Sequence, residues 1–598
     1  MHADDLRGLI ERVKRGDMSR RAFVRRMAAL GITAPMATQI LAVSGAGSAQ
    51  AQGIPEYPHS TPGGGGHLRM LYWQAQTLLN PHFAVGTTNQ EAARVFYEPL
   101  AGWAADGTLH PILAAEIPSL DNGGLAADGR SVTWRLKRGV KWHDGQDFSA
   151  DDVVFNWEYG RNPATAAVTA GSYRDVHVRK LDDHTVRVEF ERPTPFWADA
   201  FVATRGMMIP KHIFGDYVGA ASRDAPANLR PVGTSAYRFV GFTPGDLLQA
   251  ERNPNYHLEG RPFFDTLEIK GGGDAVSSAR AVLQTGDVDY GWSLRVDDET
   301  LRRLEAAGRG RVDFQPTGGI EHIQLNSTDP GTEVDGERSH HSTQHPAFRD
   351  PAVREAMGYL VDRDSIQRFI YGRGGEATPN FLNNPPRFRS GNITREFNVE
   401  RANAILDAAG WARGRDGIRA KDGVRLRFLF QTSVSAPRQR VQQIIRQACQ
   451  RAGIEVELKT VTASVFFSSD VGNPDTYTKF YADMQMYNTT MPQADPQLFM
   501  NQFTSWELAT RENSWQGRNI TRWRNEEYDR LFRESEAELD PVARAALFIR
   551  MNDLVVNSHH VLPLMNMRSV NGSANNLRNV LTGWDNTLWL LRDWYRVS

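Results

Sequence analysis

One histidine and four aspartates fall within "GVKWHDGQDFSADDVVF", residues 139–155. His143, Asp144, Asp147, Asp151 and Asp152 are of the residue types that hold a divalent metal or move protons. The elements around them give most of these groups backbone work instead. Asp144-Gly145 is a tight-turn dipeptide. Ser149, followed three residues later by Asp152, forms an acidic capping box, which sets Asp151 and Asp152 in the first turn of a helix. Carboxylates there favour the positive helix end by about 0.3–1 kcal/mol each. Val153, Val154, Phe155 and Trp157 continue that helix and supply its buried side. Ahead of it, "VTWRLKRGVKW" alternates apolar and charged residues as a hairpin arm does. His143 and Asp147 are left over, too few for a metal or catalytic site. The stretch reads as the punctuation of a fold.

Other chemistry is sparse. His340, His341 and His345 in "SHHSTQH" are potential transition-metal ligands. They stand in "DPGTEVDGERSHHSTQHP", a polar segment (329–346) that reads as an exposed insertion with incidental histidines. The sequence holds no G-x-S-x-G, H-E-x-x-H, P-loop or dinucleotide G-x-G-x-x-G arrangement. No cofactor and no metal are expected, and binding is favoured over turnover. Lys plus Arg total 69 against 70 for Asp plus Glu, so charge gives no reason to expect a nucleic-acid partner. The single cysteine, Cys449, excludes an intrachain disulfide and reads as filler in an apolar helix.

The N-terminal region reads as an address. "SRRAFVR" (19–25) precedes a modestly apolar stretch, and Ala49 with Ala51 gives a small-x-small cleavage pattern. This resembles a twin-arginine export signal, cleaved near Ala51. With no cysteine there for a lipid anchor, the expected location is the periplasm of a two-membrane bacterium. Residues 52–66, rich in Pro and Gly, read as a flexible leader. No later run is long and apolar enough to span a bilayer.

From Leu68 onward strand-like and helix-like segments alternate. Asp350 and Pro351 open a helix that turns Val353, Met357, Leu360 and Val361 to one face. "NVERANAILDAAGW" repeats the device, with Ala402, Ile405, Leu406 and Ala409 inward and Gly410 at its end. "LRFLF", "RQRVQQIIRQACQRAG" and "IEVELKTV" make a strand-helix-strand crossover, which predicts a parallel pair and an α/β fold.

"TWRLKRGVKWHDGQDFSADDVVFNWEYG" (133–160) resembles the signature of the family 5 (cluster C) extracellular solute-binding proteins. These include the dipeptide- and oligopeptide-binding components of ABC importers. "PVGTSAYRFVGFTPGDLLQAERNPNYH", "FDTLEIKGGGDAVSSARAVLQTGDVDY", "DPAVREAMGYLVDRDSIQRFIYGRG", "NVERANAILDAAGW" and "NEEYDRLFRESEAELDPVARAALFIRMNDLVV" follow in the family's order. The likeness runs from about residue 68 to 598.

The resemblance implies a two-lobed α/β periplasmic binding protein fold, with an extra subdomain in the first lobe and a hinge between lobes. The expected boundaries are lobe I over 67–315, its subdomain over about 101–229, lobe II over 316–560, and a return to lobe I over 561–598. A monomer is expected that captures a small molecule or oligopeptide between its lobes and delivers it to an ABC permease in the inner membrane. In the peptide-binding branch an aspartate shortly before an aspartate-proline pair grips the ligand's α-amino group. Asp495-Pro496 supplies the pair here, but Pro492 stands where the gripping aspartate belongs. Asp495 is then a candidate for that role through a shifted loop. Tyr487, Asn488, Thr489 and Thr490 offer neutral hydrogen-bonding groups. Trp73, Trp292 and Trp584 are candidate stacking walls, and Gly86, Thr87 and Thr88 sit at the implied lobe edge. A sugar, an opine-like conjugate, a metal chelate and, as a different class, an exported enzyme stay open as alternatives.

Overall fold

The computed structural model describes residues 9, 12–13, 15, 17–29, 65–84, 86–468, 472–491, 493–580, 584–585 and 587–597. The chain divides into two compact units, one of Met1–Ala51 with Pro316–Arg568, the other of Gln52–Gln315 with Ser569–Ser598. Both passages between Pro316 and Arg568 and the other unit fall inside long strands, Gly310–Leu325 and Val561–Ala574.

In the Gln52–Gln315 unit the strand His67–Tyr72 is central. It pairs in parallel with Thr266–Gly271 and with Tyr290–Gly291. Leu247–Arg252 and Tyr237–Thr243 extend the sheet in antiparallel fashion. Leu68, Met70 and Tyr72 are buried while His67 is exposed and Arg69 and Leu71 are half-buried, the period-2 pattern of a strand with one face on a core. A second apolar cluster lies around Ser131–Arg135, Val176–Asp182 and Thr185–Phe190, a three-stranded antiparallel sheet. Trp134, Trp142, Phe148, Val153 and Tyr173 fill it.

The helix Ala150–Arg161 settles what the acidic stretch does. Ser149 and Asp152 form a reciprocal capping box. Asp152 is 4% exposed and accepts from the N–H of both Ser149 and Lys211 at 3.0 Å. Asp144 accepts from Gln146 N–H and meets His212 Nε2 at 2.7 Å. Asp151 pairs with Lys180 at 2.7 Å and Asp147 with Lys141 at 2.5 Å. His143 accepts from Gly233 N–H through Nδ1 and donates from Nε2 to the Ser235 carbonyl at 2.9 Å. All five side chains hold local structure together.

The Pro316–Arg568 unit contains the crossover. Arg427–Ser433 and Glu455–Val461 run parallel, Phe428 opposite Val456, with the helix Ala436–Arg451 between them in sequence. Met484–Thr490 joins the other edge of Arg427–Ser433 in parallel and pairs antiparallel with Gly310–Leu325. Val353, Met357, Leu360, Val361, Ala402 and Leu406 are buried in one apolar cluster. Cys449 belongs to it, 4.0 Å from Met357 Sδ, and burial pushes its thiol up to about 12.

Residues 329–346 depart from the expected exposed insertion. Glu333–Val334 and Glu337–Arg338 form a small hairpin, and Glu337, Ser339 and His345 are buried. His345 Nδ1 accepts from the N–H of Ala347 and Phe348, so its proton sits on Nε2 and goes to Asp483 Oδ1 at 2.9 Å. Polar composition predicted exposure, but these polar groups satisfy one another and so can be buried. Among the described residues no helix is long and apolar enough to cross a membrane.

Candidate functional site

Parallel pairing of Leu71 with Gly291 brings the end of the first strand beside the residues after Tyr290. Trp292 N–H donates to the Leu71 carbonyl at 3.0 Å, and Trp73 Nε1 donates to the Ser293 carbonyl at 2.9 Å. Trp73 and Trp292 thus meet, ring centroids 6.0 Å apart, and Tyr72 lies flat against Trp292 at 5.4 Å. Trp292 is 8% exposed, a wall backed by its own unit, while Trp73 keeps more of its surface in solvent.

Behind this wall Tyr72 Oη donates to Glu91 Oε2 at 3.1 Å, and Thr587 N–H donates to Glu91 Oε1 at 3.2 Å. Glu91 sits in the helix Thr87–Phe96 and is buried. Burial raises its carboxyl to about 7, against the pull of those donors. At the start of the helix, Gly86 takes φ 83 and caps without a side chain. Thr87 is exposed and Thr88 half-buried, leaving their hydroxyls at an open helix N-terminus.

Trp584 stands apart from the tryptophan pair. Its N–H donates to the Trp103 carbonyl and its Nε1 to the Ala105 carbonyl at 3.1 Å. Next to it Asp585 is buried in an ion pair with Arg94. That anchoring gives Trp584 a fixed structural seat, with no contact to Trp73 or Trp292 among the described residues.

In the Pro316–Arg568 unit the antiparallel register sets Asn488 opposite Glu321 and Tyr487 opposite His322. Successive residues face opposite ways, so the polar run predicted as one group is split between two faces. Tyr487 is 5% exposed, with His322 at 4.7 Å and Tyr477 at 5.3 Å. Its hydroxyl accepts from Gln324 Nε2. His322 donates from Nδ1 to the Ile320 carbonyl, and its Nε2 is buried without a partner. Burial holds its pKa at about 4, so the ring is neutral.

The other face is charged. Arg438 grips Glu321 with two nitrogens, at 2.6 and 3.2 Å, and donates a third to Ser433 Oγ at 2.7 Å. Glu321 is 2% exposed. Asn488 accepts from Thr490 Oγ1, and its Nδ2 is buried without a partner. Tyr371, beside the ion pair, also keeps its hydroxyl buried without a partner. Thr489 is half-buried. Glu376, opposite Asn566 in the sheet, bridges Arg389 at 3.0 Å and Arg568 at 3.1 Å.

Asp495 has a partner other than the one expected. Arg544 binds both of its oxygens, and Gln497 N–H donates to it. The carboxylate neutralises a buried internal guanidinium. Pro492 lies outside the described residues. Of the loop histidines, His340 and His341 lie tilted against each other, ring centroids 4.2 Å apart, and His345 serves Asp483 instead.

Glu321, His322, Tyr371 and Arg438 escaped the sequence reading. Arg438 alone left a signal: it lies in the first turn of the helix after Arg427–Ser433, where α/β sheets present functional side chains. The others depend on cross-strand register.

A model of the bacterial extracellular solute-binding proteins, family 5, middle region, matches residues 108–509. The chain belongs to this family. It is similar to the oligopeptide-binding protein AppA of Bacillus subtilis, 25% identical over 452 residues, covering 73% of this chain and 77% of that one. It is also similar to the glutathione-binding protein GsiB of Escherichia coli, 22% identical over 533 residues, covering 86% and 90%. The solved structure of the ABC transporter substrate-binding protein CtaP from Listeria monocytogenes matches with a TM-score of 0.71 at 19% identity, over 89% of this chain and all of that one. The family 5 fold is therefore the two-lobed α/β fold of the periplasmic binding proteins, as the sequence led one to expect. The protein is an extracellular solute-binding protein.

Proposed function

We propose that this family 5 protein captures a peptide or peptide-like solute for an ABC importer, as a monomer that works without a cofactor. Export by the twin-arginine route, with cleavage near Ala51, places it in the periplasm, where an inner-membrane permease is its partner. It returns its ligand chemically unchanged.

The observation that carries the peptide reading is the charged group around Glu321. A peptide presents both charges and an amide backbone. The Arg389–Glu376–Arg568 chain offers both signs of charge. The unpartnered Asn488 Nδ2 and Tyr371 hydroxyl suit amide carbonyls. Relatives named for oligopeptide and glutathione binding support the same class. On the other unit, the Trp73–Trp292 wall suits an apolar or aromatic side chain, with Thr87 and Thr88 as neutral polar contacts.

Tryptophan fluorescence titrated with glutathione and with trialanine tests this. We expect saturable binding of at least one probe, weakened about tenfold by Trp73→Ala. Saturation by a sugar, with neither peptide bound, would reject the peptide class.

A further inference from the structure

A cavity of about 420 Å³ in the Pro316–Arg568 unit is lined by Arg349, Arg354, Arg522 and Arg524, with His341 and His560. No carboxylate lines it among the described residues. Arg522 is 4% exposed, and its three nitrogens donate to the carbonyls of Ala509, Ile520 and Lys479, each at 3.1 Å. Arg354 donates to the carbonyls of Ser558 and Phe348. Carbonyls satisfy these hydrogens but bring no negative charge, and a buried cation without a counter-ion is costly. Burial accordingly pulls Arg522 down to about 10 and Arg354 below its ordinary range.

The carboxylates whose fields reach these arginines are committed elsewhere. Asp350 accepts from Trp411 Nε1 and Lys421 Nζ, and Glu337 accepts from Trp515 Nε1. Arg349 and Arg524 are exposed, and no described residue bonds either guanidinium. His341 Nδ1 is buried without a partner. The cavity also stands away from the charged group around Glu321. Its walls include Ser327 and His560, beyond the ends of Gly310–Leu325 and Val561–Ala574 that lie remote from Pro316 and Arg568. Ser327 lies six positions beyond Glu321, roughly 20 Å of extended chain.

We propose that this cavity is a second binding site, for a tetrahedral oxyanion of the phosphate or sulfate type. Guanidinium forks match such oxygens in pairs, and the anion supplies the charge that the four arginines lack. The group can come as a free ion or as the headgroup of an anionic lipid.

Calorimetric titration of the full chain with phosphate, pyrophosphate, sulfate and acetate, at matched ionic strength, tests it. Saturable binding of a tetrahedral anion is expected, acetate binding far more weakly. Arg349→Ala with Arg524→Ala should weaken that binding at least about tenfold, without changing the anion-free melting temperature. Arg524→Glu alone should act in the same direction. In parallel, vesicles of phosphatidylglycerol or phosphatidylcholine are floated with the protein. Arginine-dependent retention on phosphatidylglycerol alone identifies the lipid source, and its absence beside positive titrations identifies the free ion. Equal affinity in wild type and variants, or heats that never saturate, would overturn the proposal.

Discussion

Arg438→Ala is expected to destabilise the protein by about 3–5 kcal/mol at pH 7.5, the cost of stranding a buried charge. Glu321 is 2% exposed, and both its oxygens are held by Arg438. Burial raises its carboxyl, and Arg438 supplies the opposing pull. Removing the arginine leaves the raising influence alone. In the variant, folding therefore favours the protonated carboxyl over the ionised one. Its contribution is fully present below the ordinary glutamate range and lost as pH rises, so the gap to wild type should widen from pH 4.5 to 7.5. Urea unfolding at those two pH values reads this directly. Adding Glu321→Gln to the variant should recover most of the loss, because no unpaired charge then remains. A gap below about 1 kcal/mol at pH 7.5 would mean that the carboxylate is solvated after all.

The second large effect belongs to Glu91. Its folded pKa of about 7 lies above the ordinary 4.5 of a glutamate, so the folded state holds the proton more tightly than the unfolded chain. Stability from this group is fully present below about 4.5 and is lost as pH rises through about 7. The loss amounts to about 3 kcal/mol. Glu91→Gln keeps a carbonyl acceptor for Thr587 N–H and turns its Nε2 as a donor to Tyr72 Oη, and it cannot ionise. The variant should therefore match wild type near pH 4.5, exceed it by up to about 3 kcal/mol at pH 8.5, and flatten the curve between. Tyr72 lies against Trp292, so wild-type tryptophan emission should titrate near pH 7 and the variant's should not. A wild-type stability curve parallel to that of Glu91→Gln would show that Glu91 is already ionised when folded.

The sequence made the fold legible because local signals there agreed with tertiary ones. Ser149 with Asp152, and Asp350 with Pro351, mark helix starts through backbone bonds that act within four residues. The crossover around Cys449 is read from two periods, 2 and then 3.6. Site residues depend on neighbours distant in sequence. Asp495 pairs with Arg544, 49 residues away, a partner that no pattern near Asp495 announces. Tyr487 and Asn488 are adjacent in sequence yet face opposite ways, so a polar run does not make a polar surface. That Trp73 and Trp292 meet follows from strands whose ends could be placed in the sequence. Trp584 also carried an aromatic ring, but its anchoring carbonyl belongs to Ala105, which no pattern near Trp584 announces.

Under the proposed function the protein captures a peptide-like solute and leaves it intact. Native mass spectrometry of the protein purified from its own periplasm tests it most directly, with the ligand released by denaturation and identified. A stoichiometric peptide or peptide-like adduct of unchanged covalent structure is expected, reduced in Trp73→Ala. Recovery of a sugar or metal chelate would contradict the ligand class, and repeated recovery of a chemically altered compound would contradict the binding role itself.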